Sequence, residues 1–595
     1  MRQERARSTI LARSRAHLGA AGESYFEHLR FAAAVGALMV AAGLACLLHA
    51  LLPALFADKA SRTIARLKHV LDNRPAGASA LADSDADGLL VLVALSLAAA
   101  LGPWLMQTHA AVAFALSFVA LGLPLAALGA SSGEADDADL PPPSAPARPR
   151  TAAHVAIGGG GFTGTMAAIH LSRHQDIAVT LIDRGLHGQG LAYATEQANH
   201  LLNVRAAKMS AFPDDPGHFA RWLAERSLGG PYDFAPRRVY ARYLEDQLAE
   251  AKARAGDRLH LVSGEARDTT ESAAGRSVTL DDGRRIDADA VLLATGNAPP
   301  PRLALIDRLP PRLYLRDAWG PDLASGLGDT DTILLVGSGL TMIDSVVALT
   351  DAGFGGRIIA TSRRGLLPHV HAETAAPRFP REENGEKALS RQLHSVRRRA
   401  EAIGWRATID ELRPATHRLW AELSPDARSR FLRHLRPWWD SHRHRIAPAV
   451  ADRIEVLRAQ GRFGVIAGRI VEAEEVGRHA RIGLRLRGTG FAENFEVARI
   501  VNCTGSESDV RRSADPLLSA LLARGEIQAD PLGLGIGVDA DGRVLGAGGA
   551  PTPGLFAAGP LTRSLYWEMT AVPELRGQTA SVAERIRAAC IVGPS

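Results

Sequence analysis

Hydrophobic and polar positions follow two different patterns along this chain. Residues 31–56, 89–106 and 110–130 contain no Lys, Arg, Asp or Glu. The first of them, FAAAVGALMVAAGLACLLHALLPALF, exceeds the roughly 20 residues that cross a bilayer. The other two are separated only by Gln107, Thr108 and His109 and read as a membrane hairpin. The first run starts too far into the chain for a cleaved signal peptide. Lys59, Arg62, Arg66, Lys68 and Arg74 place the 57–88 loop on the cytoplasmic side. The basic N-terminus conflicts with that orientation unless the first run, interrupted by His49 and Pro53, lies in the interface. The expectation is a membrane region over 1–130 with two or three transmembrane helices. It would sit in the inner (cytoplasmic) membrane, multi-pass, with the rest of the chain in the cytoplasm.

Residues 131–152 lack periodicity and are rich in Pro, Ala and acidic side chains, as in an exposed linker. From residue 153 the pattern changes to short aliphatic runs alternating with helical stretches, which predicts an α/β fold. HVAIG is a strand, the glycines after it a turn, TGTMAAIHLSRH a helix and IAVTLID the next strand. Gly159, Gly161 and Gly164 form a GxGxxG set. The first permits a tight turn, the second lets backbone approach a pyrophosphate, and the third packs helix on strand. The phosphate charge belongs at the helix N-terminus. A lone GxGxxG is a weak signal. Asp183, at the end of the next strand and 19 residues after Gly164, strengthens it because a carboxylate there accepts hydrogen bonds from a ribose diol.

TILLVGSGLTMIDSVVAL repeats the pattern with Gly337 and Gly339, and has Met342 at the third position. Its following strand ends in Ser362, Arg363 and Arg364, groups that attract a 2′-phosphate where a carboxylate repels it. The first site therefore suits FAD or NAD, and the second suits NADPH. Two further strand ends carry Thr295-Gly296 and Thr504-Gly505, and mark where the chain passes between two nested folds. The expected class is α/β, with two nested Rossmann-like dinucleotide-binding domains, a helical insert, and a helical transmembrane region in front. Residues 153–325 and 501–590 would form the FAD-binding domain. Residues 326–500 would form the NAD(P)H-binding domain, with the insert at about 380–460.

Composition narrows the function. A net charge of +5 spread over 595 residues gives no basic patch and argues against nucleic-acid binding. Cys46, Cys503 and Cys590 form no CxxC, which excludes a disulfide framework, a zinc ribbon and a dithiol relay. His200 and Asn203 sit where a loop could cover a flavin ring, and are the candidates for proton transfer or hydrogen bonding to it. The RPWWDSHRHR stretch, with Trp438, Trp439, His442 and His444, is expected to be a helical lid with an aromatic interior and a basic exterior rather than a metal site.

Several motifs carry a family resemblance. GQGLAYAT, HLLNVRAAKMSAFPDDPGHFARWL, FAPRRVYARYL, GSGLTMID, SRRGLLPHVH and RFLRHLRPWWDSHRHRIAP resemble bacterial FAD/NAD(P)-binding proteins of the FAD-dependent urate hydroxylase-like group. That fold is similar to the two-dinucleotide flavin monooxygenases. The FxGxxxHxxxW(P/D) motif of Baeyer-Villiger enzymes is missing from its usual place. PGLFAAGPLTRS resembles the late strand and turn, here with Gly559, that reach the FAD phosphates. Residues 22–64 resemble a small bacterial family of uncharacterised membrane proteins. The two loops and the resemblance together imply FAD and NADPH as cofactors and a small-molecule substrate, and the apolar runs imply a bilayer contact through the N-terminal helices. Together they imply a membrane-tethered NADPH-dependent FAD monooxygenase. The alternative is an electron-transfer or sensory flavoprotein that passes electrons to a quinone or protein partner.

Overall fold

A computed structural model describes residues 152–592 of the protein, apart from 186, 274, 321–322 and 374–387. The three apolar runs and most of the linker lie outside the described residues. Among the described residues, no helix is long and apolar enough to cross a membrane.

Two sheets organise this part of the chain. The first contains β1 (Ala153–Gly158), β2 (Ile177–Asp183), β3 (Leu259–Ser263), β4 (Ala290–Leu293) and β9 (Pro551–Ala557), with a short edge strand at Arg543–Leu545. Its order is 543–545, β9, β4, β1, β2, β3, and all pairings are parallel except that of the edge strand. The second contains β5 (Thr332–Val336), β6 (Arg357–Ser362), β7 (Phe463–Val476) and β8 (Arg499–Asn502). Here β8, β5, β6 and β7 are parallel neighbours, and an antiparallel hairpin at 479–497 extends the β7 side. A strand-poor sequence such as AVLL at β4 is completely buried, as expected of parallel strands covered on both faces.

In both sheets the chain runs outward from one strand and then returns to its other side: β1 to β2 to β3, then β4; β5 to β6 to β7, then β8. The crevice at such a reversal, outside the carboxyl ends of the strands, is where ligands bind in open α/β sheets. Helix α1 (Phe162–Ser172) follows β1, and α3 (Leu340–Asp351) follows β5. Helices α2 (Arg237–Ala255) and α7 (Val572–Val592) pack with α1 on one face of the first sheet, in a core that includes Met166, Ile169, Tyr240, Leu244 and Ile586.

The second sheet starts earlier than the expected boundary at residue 326. Tyr314–Leu315 already pairs with β8 at its edge. A two-residue edge strand is too short to show periodicity, so the sequence conceals it. Helices from α4 (Leu389–Ile403) to α6 (Pro448–Ala459), with α5 (Arg436–Arg443) between them, form the insert between β6 and β7.

Candidate functional site

The first glycine loop is closed by its neighbours on every side. Gly159 has φ of +110°, and a Cβ there would overlap the Ala294 carbonyl just past β4. A Cβ on Gly164 would overlap the Gly159 carbonyl, so only glycine lets α1 approach the loop this closely. Gly161 is the N-cap of α1, with no side-chain cap and no acid in the first turn. The orphaned N–H groups of that turn are left for a ligand. Gly160 was not assigned from the sequence, yet its N–H donates to Asp183 Oδ2 at 2.7 Å, and a Cβ there would press on the Asp183 side chain. Gly190, with φ of +58°, closes over Gly161 from the GQGLAY segment. Its signal in the sequence was the glycine pair at 188 and 190.

The second loop has the same geometry with different chemistry. Gly337, at φ of +119°, would drive a Cβ into the Cys503 carbonyl just past β8. Gly339 is the uncapped N-cap of α3, and a Cβ there meets no atom within 4 Å. Ser362, at the end of β6, accepts from Ser338 Oγ at 2.8 Å and from Gly365 N at 3.0 Å. It thus ties strand end to glycine loop as Asp183 does, but without charge. Arg363 is exposed and Arg364 half-buried; neither forms an ion pair among the described residues. The Arg364 guanidinium lies 5.9 Å from the centre of the Trp438 ring. Met342, at the third-glycine position, is fully buried in the second core.

The two strand exits sit against these loops. Ala294 N donates to Gly158 O, and Cys503 N donates to Val336 O, at 2.9 and 2.8 Å. Gly296 and Gly505 both take positive φ, at +73° and +86°. The Thr504 hydroxyl donates to Asn502 Oδ1. Gly559 has φ of +80° and packs on Thr163 in the first turn of α1. A cleft lined by Arg184, Glu265, Thr295, Gly296, Pro560 and Arg563 reaches from the residue after Asp183 to the residues after Gly559. The glycine cradles, the open helix N-termini and this cleft fit two dinucleotides. Cys503 is buried beside Ser345 and burial pushes its thiol up to about 12, so it is inert.

His200 and Asn203 are separated by the fold into different tasks. Both ring nitrogens of His200 are engaged, with Thr195 Oγ1 at 2.9 Å and the Asp344 carbonyl at 3.0 Å, and its ring stands edge-on to Trp319. Burial lowers its pKa. In this placement His200 joins the first fold to α3, beside the Arg237–Asp344 ion pair at 3.1 Å. The Asn203 carbonyl accepts from His371 Nε2 at 2.9 Å, linking the same loop to the segment after Arg364. Burial takes the His371 pKa down to about 4.

The insert also departs from expectation. Trp438 is 44% exposed, whereas Arg443 and Arg445 are buried. The interior face is therefore aromatic and basic together. Trp439 Nε1 donates to Glu568 Oε1 at 2.7 Å, Trp420 stacks on Trp567 at 4.9 Å, and Arg413 holds Glu574 through two nitrogens. These contacts seat the insert on residues 563–574, directly after Gly559. Among the described residues no cluster of His, Cys, Asp or Glu could hold a metal ion.

Comparison with known proteins agrees with this geometry. Residues 156–298 match the FAD-NAD(P)-binding family, and residues 13–74 match a family of unknown function, DUF6356. The first match makes residues 156–298 an FAD/NAD(P)-binding domain. No curated protein matches the chain. Among solved structures, the fold is similar to ornithine hydroxylase from Pseudomonas aeruginosa, at 14% identity, 73% of this chain, 99% of that one and a TM-score of 0.51. It is also similar to an FAD-bound cadaverine monooxygenase of desferrioxamine biosynthesis from Erwinia amylovora, at 14% identity, 74% and 95% coverage, and a TM-score of 0.50. At these identities the likeness concerns the fold.

Proposed function

We propose that this FAD/NAD(P)-binding protein is an NADPH-dependent FAD monooxygenase acting on a small molecule, tethered to the inner membrane by its N-terminal segments with the catalytic part in the cytoplasm. The observation that carries the reading is the contrast behind two similar uncapped glycine loops, Asp183 at one and Ser362, Arg363 and Arg364 at the other. FAD belongs to the first and NADPH to the second. The flavin domain is then discontinuous, with its last part supplied by the chain after β8. The resemblance of the fold to ornithine and cadaverine monooxygenases supports the oxygen-inserting reading.

When bound, FAD supplies acceptance of hydride from NADPH and activation of oxygen, chemistry that protein side chains lack. The protein's part is binding, orientation and exclusion of water. The N-terminal turns of α1 and α3 hold the pyrophosphates. Asp183 takes the ribose diol of FAD, and Arg363 and Arg364 take the 2′-phosphate of NADPH. Thr295, Gly296, Thr504 and Gly505 stand at the two strand exits where the chain leaves one sheet for the other. Asn203 lies on the loop joining the sheets, and in this reading its side chain hydrogen-bonds a ring or substrate. His200 holds that loop to α3.

Purified full-length protein tests this directly. The expected result is a bound-flavin absorption spectrum, NADPH oxidation at least about tenfold more efficient than NADH oxidation, and oxygen consumption linked to a hydroxylated product. Fast quinone reduction with no oxygen incorporated into any substrate would overturn the monooxygenase reading in favour of electron transfer. Recovery in a salt-washed membrane fraction, lost when residues 1–130 are removed, checks the tether.

A further inference from the structure

Eleven buried side-chain polar atoms among the described residues have no hydrogen-bond partner. Six of them lie in one place, the seam between the insert and residues 563–574: His417 Nδ1, Arg443 Nε and Nη2, Arg563 Nε, Trp567 Nε1 and Glu568 Oε2. Such groups are rare in native proteins, and each is destabilising unless something else satisfies it. Their concentration in one seam asks what that something is.

Donors outnumber acceptors there. Arg443, Arg563 and Trp567 leave four donor nitrogens, against Glu568 Oε2 and His417 Nδ1, which accepts in only one of its tautomers. Arg443 Nε stands 3.0 Å from Glu568 Oε2 and Nη2 stands 3.5 Å from Glu574 Oε1, but neither is aligned as a hydrogen bond. Charge is unbalanced in the same direction. Arg413 and Arg443 face Glu574 and Glu568, while Arg436 and Arg563 share Asp440, so four guanidinium groups meet three carboxylates. Burial works to raise the Glu568 carboxyl, but the cations around it, Arg443 first, outweigh burial and hold it below the usual carboxylate range. Burial takes Arg563 down to about 10, which leaves it charged at neutral pH. The His444 pKa is lowered by burial, so it adds no compensating or further charge.

A group that accepts several hydrogen bonds and carries one negative charge completes this arrangement. A carboxylate does both, since its two oxygens take about four donors and match a guanidinium in plane. Arg563 connects the seam to open space, because it is also one of the residues lining the cleft that runs past Gly296 and Pro560. We propose that the seam is a subsite for a small molecule bearing a carboxylate, held by Arg443 and Arg563 and entered from that cleft. Calling this molecule the substrate rests on the monooxygenase reading; its binding does not. Glu568 holds Arg443 in place until the carboxylate arrives, and Trp439 orients Glu568.

The test uses the full chain with and without added FAD, titrated with benzoate and, as an uncharged match in shape, benzamide. Trp420, Trp439 and Trp567 line the seam, so intrinsic tryptophan fluorescence reports binding, and flavin absorbance reports it independently. The expected result is a saturable change with benzoate and at least 30-fold weaker binding of benzamide. Arg443→Met should weaken benzoate at least tenfold while flavin content stays unchanged, Arg563→Met should weaken it at least tenfold in the protein without added FAD, read by tryptophan fluorescence, and Glu568→Gln should tighten it severalfold. Equal responses to benzoate and benzamide, or a benzoate response that survives both arginine changes, would overturn the proposal. So would loss of bound FAD from Arg443→Met together with no benzoate response, which would assign the donors to the flavin. If Arg443→Met does not fold, Arg563→Met and Glu568→Gln decide. Protein without flavin would sink the proposed function, whereas fluorescence of that same protein would still decide the subsite.

Discussion

The two glycine loops share a backbone and differ in what stands behind it. Each begins with a glycine at strongly positive φ, pressed against the exit of a neighbouring strand, Gly159 on Ala294 and Gly337 on Cys503. Each is tied by the end of the following strand, through Asp183 in one case and Ser362 in the other. The same backbone geometry occurs twice, so under the proposed function selectivity between two dinucleotides has to come from the tie. The loops also differ in packing. The first would be overfilled by a methyl group at Gly159, Gly160 or Gly164, whereas the second has open space at Gly339 and a buried Met342 in place of its third glycine.

The largest expected effect tests that packing difference. Gly164→Ala forces a methyl group into the Gly159 carbonyl and should cost about 3 kcal/mol, an overpacking penalty at the upper end of the usual range. Urea unfolding should show the loss, and the purified protein should carry no flavin. Gly339→Ala should stay within about 1 kcal/mol of the parent and keep its flavin, while NADPH binding weakens because the methyl group occupies the approach to the pyrophosphate. Equal destabilisation by the two changes would break the comparison.

The next effect tests charge. Replacing Arg363 and Arg364 together by Ala should raise KM for NADPH roughly 100-fold and leave NADH unaffected, at about 1.5 kcal/mol for each charge-assisted bond. Asp183→Asn preserves an acceptor for Gly160 N but removes the charge, and should weaken FAD about tenfold, measured by flavin release on dilution. A stronger effect of Asp183→Asn on NADPH than on FAD would reverse the assignment of the two loops.

The smallest effect concerns the contact between the two folds. The His371 pKa in the folded protein is about 4, lowered by burial from an ordinary value near 6.5. The folded state therefore binds fewer protons than the unfolded one between these values. Its contribution to stability is present above about pH 6.5 and is lost as pH falls towards 4. His170 behaves alike, with burial again the main cause. The melting temperature should fall over this window, and His371→Gln, which retains a donor for the Asn203 carbonyl, should flatten part of the slope. An unchanged slope would remove His371 from the account.

Legibility varied with the distance over which an interaction acts. Gly159, Gly161, Gly164 and Asp183 could be read together because strand, turn, helix and next strand follow each other within one short segment. Gly160 escaped, although it is in the same run, because its constraint is a contact between the loop and the Asp183 side chain at the end of the neighbouring strand, which glycine spacing does not show. The Tyr314–Leu315 strand escaped because two residues carry no period. His200 looked like a loop histidine near a flavin. Its burial against α3 depends on a partner, Asp344, that no local pattern connects to it.

The chain by itself determined that there are two dinucleotide loops, in which order they come, and the sign of the charge behind each. Those features arise from backbone geometry and from side chains at fixed spacing in consecutive elements. Only the tertiary structure decided which charges of the insert face inward. RPWWDSHRHR reads as a basic surface helix, yet Arg443 is buried against Glu568 and Arg445 against Asp410, while Trp438 is left outside. Helical period alone cannot separate these outcomes, since a buried arginine and an exposed one have the same spacing. The difference is made by carboxylates far away in sequence, which offset the cost of desolvating a guanidinium only once the insert has docked.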